Sequence, residues 1–245
     1  MLHDTTLTRQ GHTIADLNHR FSPQNAMAAL KFTLESPSLG RVALVSSFGA
    51  DAGVLLHMVA QINPHLPVLF LDTELLFPQT LGYQRDLARH LGLSNVQLIR
   101  PKRETLFTKD LDAMLHRTNP DACCALRKSQ PLEQALTGYG AWITGRKRFQ
   151  GGTRQRLDLF EPDKGTRIKI NPLAHWTPQM VQAYFETHNI PRHPLVDAGY
   201  PSLGCQPCTT RTRNGEPPRA GRWRGQDKTE CGIHFTTIST NRRNQ

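Results

Sequence analysis

Short apolar runs punctuate the chain, and the stretches between them carry helical spacing. Val42-Ala43-Leu44-Val45, Val68-Leu69-Phe70-Leu71, Val96-Gln97-Leu98-Ile99 and Ala141-Trp142-Ile143-Thr144 each read as a buried strand. Residues 14–36 read as helical, with a break near Ser22-Pro23. Val54, Leu55, Met58, Val59 and Ile62 recur at helical spacing after the first strand. Pro78 to Leu91 predicts a helix that Gly92 stops, and Leu126–Leu136 and Pro178–His188 predict two more. Strands alternating with helices imply an α/β fold, a parallel sheet flanked by helices. Beyond Pro191 the pattern breaks down. Residues 199–229 are rich in Gly, Pro and Arg with almost no periodicity, which predicts an irregular, mobile tail ordered by ligands. The expected division is an N-terminal helical segment (1–40), an α/β nucleotide-binding domain (41–198) and an Arg-rich tail (199–245).

Composition narrows the class. With 38% hydrophobic and 20% charged residues over 245 positions, the chain has an ordinary globular make-up. No run approaches the roughly 20 apolar residues of a membrane span. The opening MLHDTTLTRQGHT lacks the apolar core of a signal peptide, so a cytoplasmic protein is expected. The net charge of +10 invites a nucleic-acid reading, but its distribution argues otherwise. Residues 146–169 and 205–245 each carry eight basic against three acidic side chains, and the rest of the chain is balanced. Charge concentrated in two short segments fits a local anion site, with neither nucleic acid nor membrane as partner.

The five cysteines carry the most specific chemistry. Cys123-Cys124 precedes a predicted helix, and Cys205-Gln206-Pro207-Cys208 follows much later in the chain. Two such pairs supply four thiolates, the complement of a 4Fe-4S cluster or of tetrahedral zinc. Adjacent ligands are unusual in structural zinc sites, which favours iron–sulfur. The plainer alternatives are a redox CxxC pair and two core thiols. Cys231 stands apart, between Lys228 and His234, where nearby positive charge would favour a nucleophilic thiolate. It too has a plain alternative, an incidental free cysteine near a chain end.

Ser46-Ser47-Phe48-Gly49-Ala50-Asp51, between the first strand and its helix, places backbone N–H groups where an anion could sit. It has the spacing of neither the Walker loop nor the dinucleotide fingerprint. Ligands of parallel α/β sheets bind beyond the carboxyl ends of the strands, a rim that would include Ser46, Gly49, Asp72 and Gly145. Arg127 and Lys128, within one turn of the double cysteine, would bring cations to the edge of a metal site suited to phosphate or sulfate.

In SSFGAD, LDTELLFP, CCALRK, TGRKR, GCQPCT and ECGIH, taken in that order from about residue 41 to 235, the chain resembles the assimilatory sulfonucleotide reductases. Within them it is similar to the iron–sulfur type that acts on adenosine 5′-phosphosulfate (APS). The 3′-phosphoadenylyl sulfate (PAPS) reductases typically lack the two cysteine pairs. Glu74 stands where the family often has Gly after LDT, and Pro78-Gln79-Thr80 where PET is common. The resemblance implies an adenine nucleotide alpha hydrolase-like (PP-loop) fold and a 4Fe-4S cluster on Cys123, Cys124, Cys205 and Cys208. It further implies a substrate site drawn from Ser46, Ser47, Phe48, Gly49, Asp72, Thr73, Lys128, Gly145, Arg148, Arg219 and Arg222, with the basic loop around Arg146–Arg148 facing the phosphosulfate. Cys231 would attack the sulfate sulfur and expel AMP, leaving an S-sulfocysteine. Reduced thioredoxin, or glutaredoxin, would then release sulfite. With no thioredoxin-like domain after ECGIH, an external reductant is expected. A homo-oligomer is compatible with the sequence. The rivals are PAPS or dual specificity, an ATP-dependent PP-loop sulfur-transfer enzyme and a zinc-bearing nucleic-acid-binding module. The second rival usually needs SGGxDS and leaves Cys231 without a role.

Overall fold

A computed structural model of the chain describes residues 13–22, 25–164, 167–226 and 228–234. The expected strands are present as β1 (Val42–Ser46), β2 (Val68–Leu71), β3 (Val96–Ile99) and β4 (Ala141–Ile143). Two further strands, β5 (Phe160–Pro162) and β6 (Ile168–Ile170), complete a six-stranded sheet in the order β3-β2-β1-β4-β6-β5. Every pairing is parallel except β5 with β6 at one edge. The strand pattern anticipated neither of these. Each is three residues long, and Pro162 and Lys169 interrupt their apolar runs.

Helices α1 (Ile14–Arg20) and α2 (Ala26–Glu35) flank the break expected near Ser22. Thr13 caps α1 through a reciprocal box with Asp16, and Asn25 caps α2 by accepting from the Ala28 N–H. Then follow α3 (Ala52–Ile62), α4 (Pro78–His90), α5 (Arg103–Lys109), α6 (Leu115–Thr118), α7 (Pro120–Cys124), α8 (Gln130–Ala135) and α9 (Pro178–Thr187). Gly92, at φ +67°, ends α4 in the left-handed conformation that glycine adopts at low cost. The helix expected over 126–136 begins earlier. α7 and α8 are joined through a π-helical turn at Ala125–Ser129, directly after the double cysteine.

Alternate residues of the central strands feed two cores. Leu44, Val68, Phe70, Ala141, Ile143 and Ile170 face α1, α2, α3, α4 and α9. Ala43, Val45, Leu69, Leu71 and Trp142 face Leu132 and Leu136 of the α8 segment. With both faces covered, the inner strands must be apolar throughout, which is why they read as uninterrupted runs. Neighbouring β1 and β4 send their chains to opposite sides of the sheet, and a crevice opens where the chain directions diverge.

The tail is irregular, as its composition predicts, but it is packed. Leu203, Cys205, Thr209, Trp223, Glu230 and Cys231 are all buried. An isolated bridge joins Cys205 to Leu76, the Gln206 N–H donates to Leu75 O at 2.7 Å, and a second bridge joins Thr209 to Arg222. The tail thus lies against the segment that follows β2. None of the helices among the described residues is long and apolar enough to cross a membrane.

Candidate active site

The crevice at the ends of β1 and β4 opens into a cavity of about 190 Å³. Its floor is apolar, from Leu44, Val45, Leu55, Leu56 and Leu71. Its walls come from five chain segments: the loops after β1, β2 and β4, the turn that carries Lys128, and the tail. Of the residues expected to bind substrate, Ser46, Ser47, Gly49, Thr73, Lys128, Gly145, Arg219 and Arg222 line it, and Cys231 lies on its wall.

Three expected residues do not line it. Phe48 is fully buried, stacked edge-on against Phe70 with ring centroids 5.2 Å apart, and anchors the loop from beneath. Its φ of +47° is a strained value for a bulky residue, held where the loop turns toward the cavity. Asp72 pairs with Arg100 at 2.8 Å and accepts from the Glu74 N–H, shaping the turn after β2. Arg148 donates to Leu157 O at 2.7 Å and pairs with Asp158, away from the cavity.

Further basic residues line the cavity, among them the loop at Arg146 and Lys147 expected to face the phosphosulfate. Arg146, Lys147 and Arg154 add to Lys128, Arg219 and Arg222, so six cations face the cavity against the carboxylates of Asp51 and Glu230. Arg146 and Lys147 belong to the expected TGRKR loop, whereas Arg154, further along the first basic segment, is singled out by no motif. Lys147 donates to Asp51 Oδ2 and to Gly145 O, both at 3.1 Å. Asp51 is therefore held by Lys147 and makes no side-chain cap for α3, whose N-terminus borders the cavity. An uncapped helix N-terminus of this kind suits an anion.

His234 also faces the cavity, its ring parallel to Trp142 with centroids 6.1 Å apart. Burial, reinforced by Arg146, Arg154, Lys169 and Arg219, drives its pKa well below the usual imidazole value, so it is neutral. Two buried nitrogens on this wall, Arg222 Nε and His234 Nδ1, have no hydrogen-bond partner. Unpaired buried donors and acceptors are costly, and these two stand where a ligand would satisfy them. Arg222 is also held over the Trp223 ring at 4.4 Å and donates to Leu203 O at 2.8 Å.

The cysteines gather at one end of the cavity. Cys124, Trp223 and Cys231 form a small buried cluster against which Cys208 packs. The Cys124 thiol donates to the Cys231 sulfur. That contact, opposed by burial and aided by Lys128, the Ile233 N–H and Arg222, holds the Cys231 thiol well below its ordinary pKa. The contact would be lost if the Cys124 sulfur ligated a metal, and the cations and the Ile233 N–H would then favour the thiolate. Burial, then the charges of Cys205 and others, pushes Cys123 up to about 11. Thr73 Oγ1 lies 3.1 Å from Cys205 Sγ.

All five cysteines are free thiols, and the two pairs come from α7 and from the tail folded over it. Four buried or half-buried thiols flanked by Lys128 and Arg222 fit a four-thiolate cluster in donor type and charge. Among the described residues, however, no three His, Cys, Asp or Glu side chains stand in metal-ligating geometry. Arg127, expected beside Lys128 as a ligand-facing cation, instead pairs with Asp110 at 2.6 Å and donates to Thr73 O at 3.0 Å, tying the π-helical turn after α7 to the end of α5 and the loop after β2.

The sheet order, the uncapped helix and the cation-lined crevice define a nucleotide-binding α/β protein of the PP-loop type with a cysteine poised on the pocket wall. Residues 41–211 match the phosphoadenosine phosphosulfate reductase domain, and the chain belongs to that family. Among curated relatives, the adenosine 5′-phosphosulfate reductase of Mesorhizobium japonicum is 50% identical over 80% of this chain and 77% of its own. The phosphoadenosine 5′-phosphosulfate reductase of Gloeobacter violaceus is 41% identical over 79% and 82%. The crystal structure of the PAPS reductase of Candida auris, a phosphate complex, aligns with TM-score 0.65 and 28% identity over 81% of this chain and 96% of that one. The family is one of oxidoreductases acting on sulfonucleotides.

Proposed function

We propose that the chain reduces adenosine 5′-phosphosulfate to sulfite and AMP, with Cys231 as the nucleophile. The observation that carries this is a single cavity wall bearing Cys231 beside six cations, with Arg222 Nε and His234 Nδ1 unpartnered. Adenine lies over the apolar floor, and the phosphate meets the N-terminus of α3 and the Ser46–Asp51 loop. The sulfate faces Lys128, Arg219 and Arg222. Cys231 thiolate forms a bond to sulfur as the bond from sulfur to the bridging oxygen breaks, and AMP leaves with the electron pair. Cations aimed at the sulfonyl oxygens and the departing phosphate stabilise charge that develops as the bonds exchange.

A dithiol reductant of the thioredoxin or glutaredoxin type then attacks the Cys231 sulfur, displacing sulfite and forming a mixed disulfide. Its second thiol resolves that disulfide and regenerates Cys231, so the two electrons come from the dithiol. Cys231 is only 8% exposed, so the tail must open for this second step. Cys123, Cys124, Cys205 and Cys208 would hold a 4Fe-4S cluster, which would supply a covalent tie between α7 and the tail and a charge beside Lys128. A cytoplasmic location follows from the need for a reducing environment.

The relative named as a PAPS reductase makes 3′-phosphorylated substrate the second reading. Anaerobically purified protein should release sulfite from APS with reduced thioredoxin, and do so faster than from PAPS. Faster release from PAPS would reverse the assignment, and release from neither would end it.

A further inference from the structure

Glu230, the residue before Cys231, has no part in the reaction as written, yet it is 3% exposed in the middle of the cationic wall. Its carboxylate takes a bidentate pair from Arg154: Nε to Oε2, and Nη2 to Oε1 at 2.8 Å. Arg219 Nη2 reaches the same Oε1 at 3.5 Å and donates to Thr229 O at 2.9 Å. The Cys231 backbone N–H donates to that oxygen as well, at 2.9 Å. Arg154 is itself fixed by Gln150, within the short 3-10 turns that follow β4. One carboxylate therefore joins the β4 loop to the backbone of the nucleophile.

We propose that Glu230 is the clasp of the closed tail, a positioning residue that docks Cys231 on the cavity wall through Arg154 and lets go when the tail opens. The physical case rests on where the fixed charge lies. Residues 228–234 form no strand and only one three-residue 3-10 turn, so side chains must hold the segment. A buried carboxylate in a bidentate guanidinium pair is a strong directional contact, and it adjoins the residue whose placement matters. Reversal is built in. Arg154 and Arg219 also line the space for an anionic substrate, so Glu230 and a bound anion draw on the same two cations, and the clasp is tightest without an anion and loosens as one is bound.

This inference rests on Cys231 being the nucleophile, and the test separates the two. The rate at which neutral iodoacetamide alkylates Cys231 is read at the peptide level in anaerobically purified protein without nucleotide. Taking the limiting rate at high pH removes the effect of thiol ionisation. Glu230→Ala should raise that rate about tenfold or more, as expected for loss of charge-assisted bonds that hold the closed state. AMP affinity should stay within about threefold, because cations that grip the phosphate remain. Single-turnover S-sulfonation of Cys231 by APS should slow by a similar factor. Glu230→Gln keeps an oxygen for the Cys231 N–H but loses the charge, and should fall between the two. An unchanged alkylation rate would overturn the clasp, as would AMP affinity falling in step with it. Loss of cooperative unfolding in both variants would assign Glu230 to the core instead. If wild-type Cys231 gains no sulfonate from APS, the functional reading fails while the alkylation result still decides the clasp.

Discussion

A β-carbon on Gly204 would lie 2.2 Å from Arg222 Nη2 and 2.5 Å from its Cζ, so the guanidinium rests directly on the glycine backbone of the GCQPCT segment. Gly204→Ala can be accommodated only by moving Arg222 off Leu203 O and the Trp223 ring, and should lower stability modestly, by about 1–3 kcal/mol, without unfolding the protein. Moving Arg222 withdraws a cation from the sulfate position, and KM for the sulfonucleotide should rise about tenfold, the scale of one charge-assisted contact. Steady-state kinetics with a melting control checks both halves. Cys231→Ser should abolish sulfite release while AMP still binds; turnover by the variant would remove Cys231 from the chemistry. At this scale the sequence identified residue types better than directions. Lys147 and Arg148 are neighbours in one basic motif, yet Lys147 is buried on Asp51 while Arg148 turns to Asp158. Side-chain direction is set by the backbone after β4, which no local pattern encodes. Glu74 is similar. Its φ of +59° suits the glycine the family often carries, and only the Asp72 turn that receives its N–H explains how it is tolerated.

Among elements, those with an uninterrupted apolar run or helical spacing were legible, the three-residue β4 included, and β5 and β6, broken by Pro162 and Lys169, were not. β1 and β2 are apolar because both faces are covered, and α4 shows its start in Pro78 and its stop in Gly92. β6 was hidden by Lys169, which reads as surface but lies 2% exposed over the Trp142 ring at 4.9 Å, paired with Asp163. The same limit applies to the joints between elements, which depend on buried polar pairs distant in sequence. Asp110 and Arg127 are one such pair, with side chains 0% and 4% exposed. Asp110→Ala leaves the guanidinium buried without its partner and should cost about 3–5 kcal/mol in denaturant unfolding. His193 is another joint, fully buried between Thr80 Oγ1 of α4, at 2.9 Å, and the Leu195 N–H, which donates to its Nδ1 at 3.2 Å. Burial lowers its pKa to about 4 from the ordinary 6.5. Below the ordinary value the unfolded chain takes up a proton that the folded one refuses. Stability should therefore fall as pH drops from 6.5 to 4 and then level off, by roughly 3 kcal/mol in all. His193→Gln should flatten that slope; an unchanged slope would place the titration elsewhere.

For the molecule as a whole, the charge of +10 is resolved by where the cations point. Arg146, Lys147, Arg154 and Lys169 of the first basic segment are buried, and Arg219 and Arg222 of the second close the same cavity from the tail. The two basic segments, far apart in sequence, thus meet in one pocket, where Arg154 and Arg219 share the Glu230 carboxylate beside the β1/β4 crevice. Cations confined in a crevice beside a low-dielectric floor act on a small anion at close range and on a long polyanion hardly at all. AMP should then stabilise the protein against heat by mass action, about 2.7 kcal/mol at a hundred times its Kd. Sulfate should act the same way at higher concentration, since it reaches the cations without the apolar floor. A duplex oligonucleotide matched to AMP in phosphate concentration should give little shift, because its phosphates lie on a duplex too wide to follow a single nucleotide into the crevice. Thermal shifts measured with the three ligands over a salt series decide the matter. A large, steeply salt-dependent shift with the duplex alone would move the functional charge from the pocket to the outer surface.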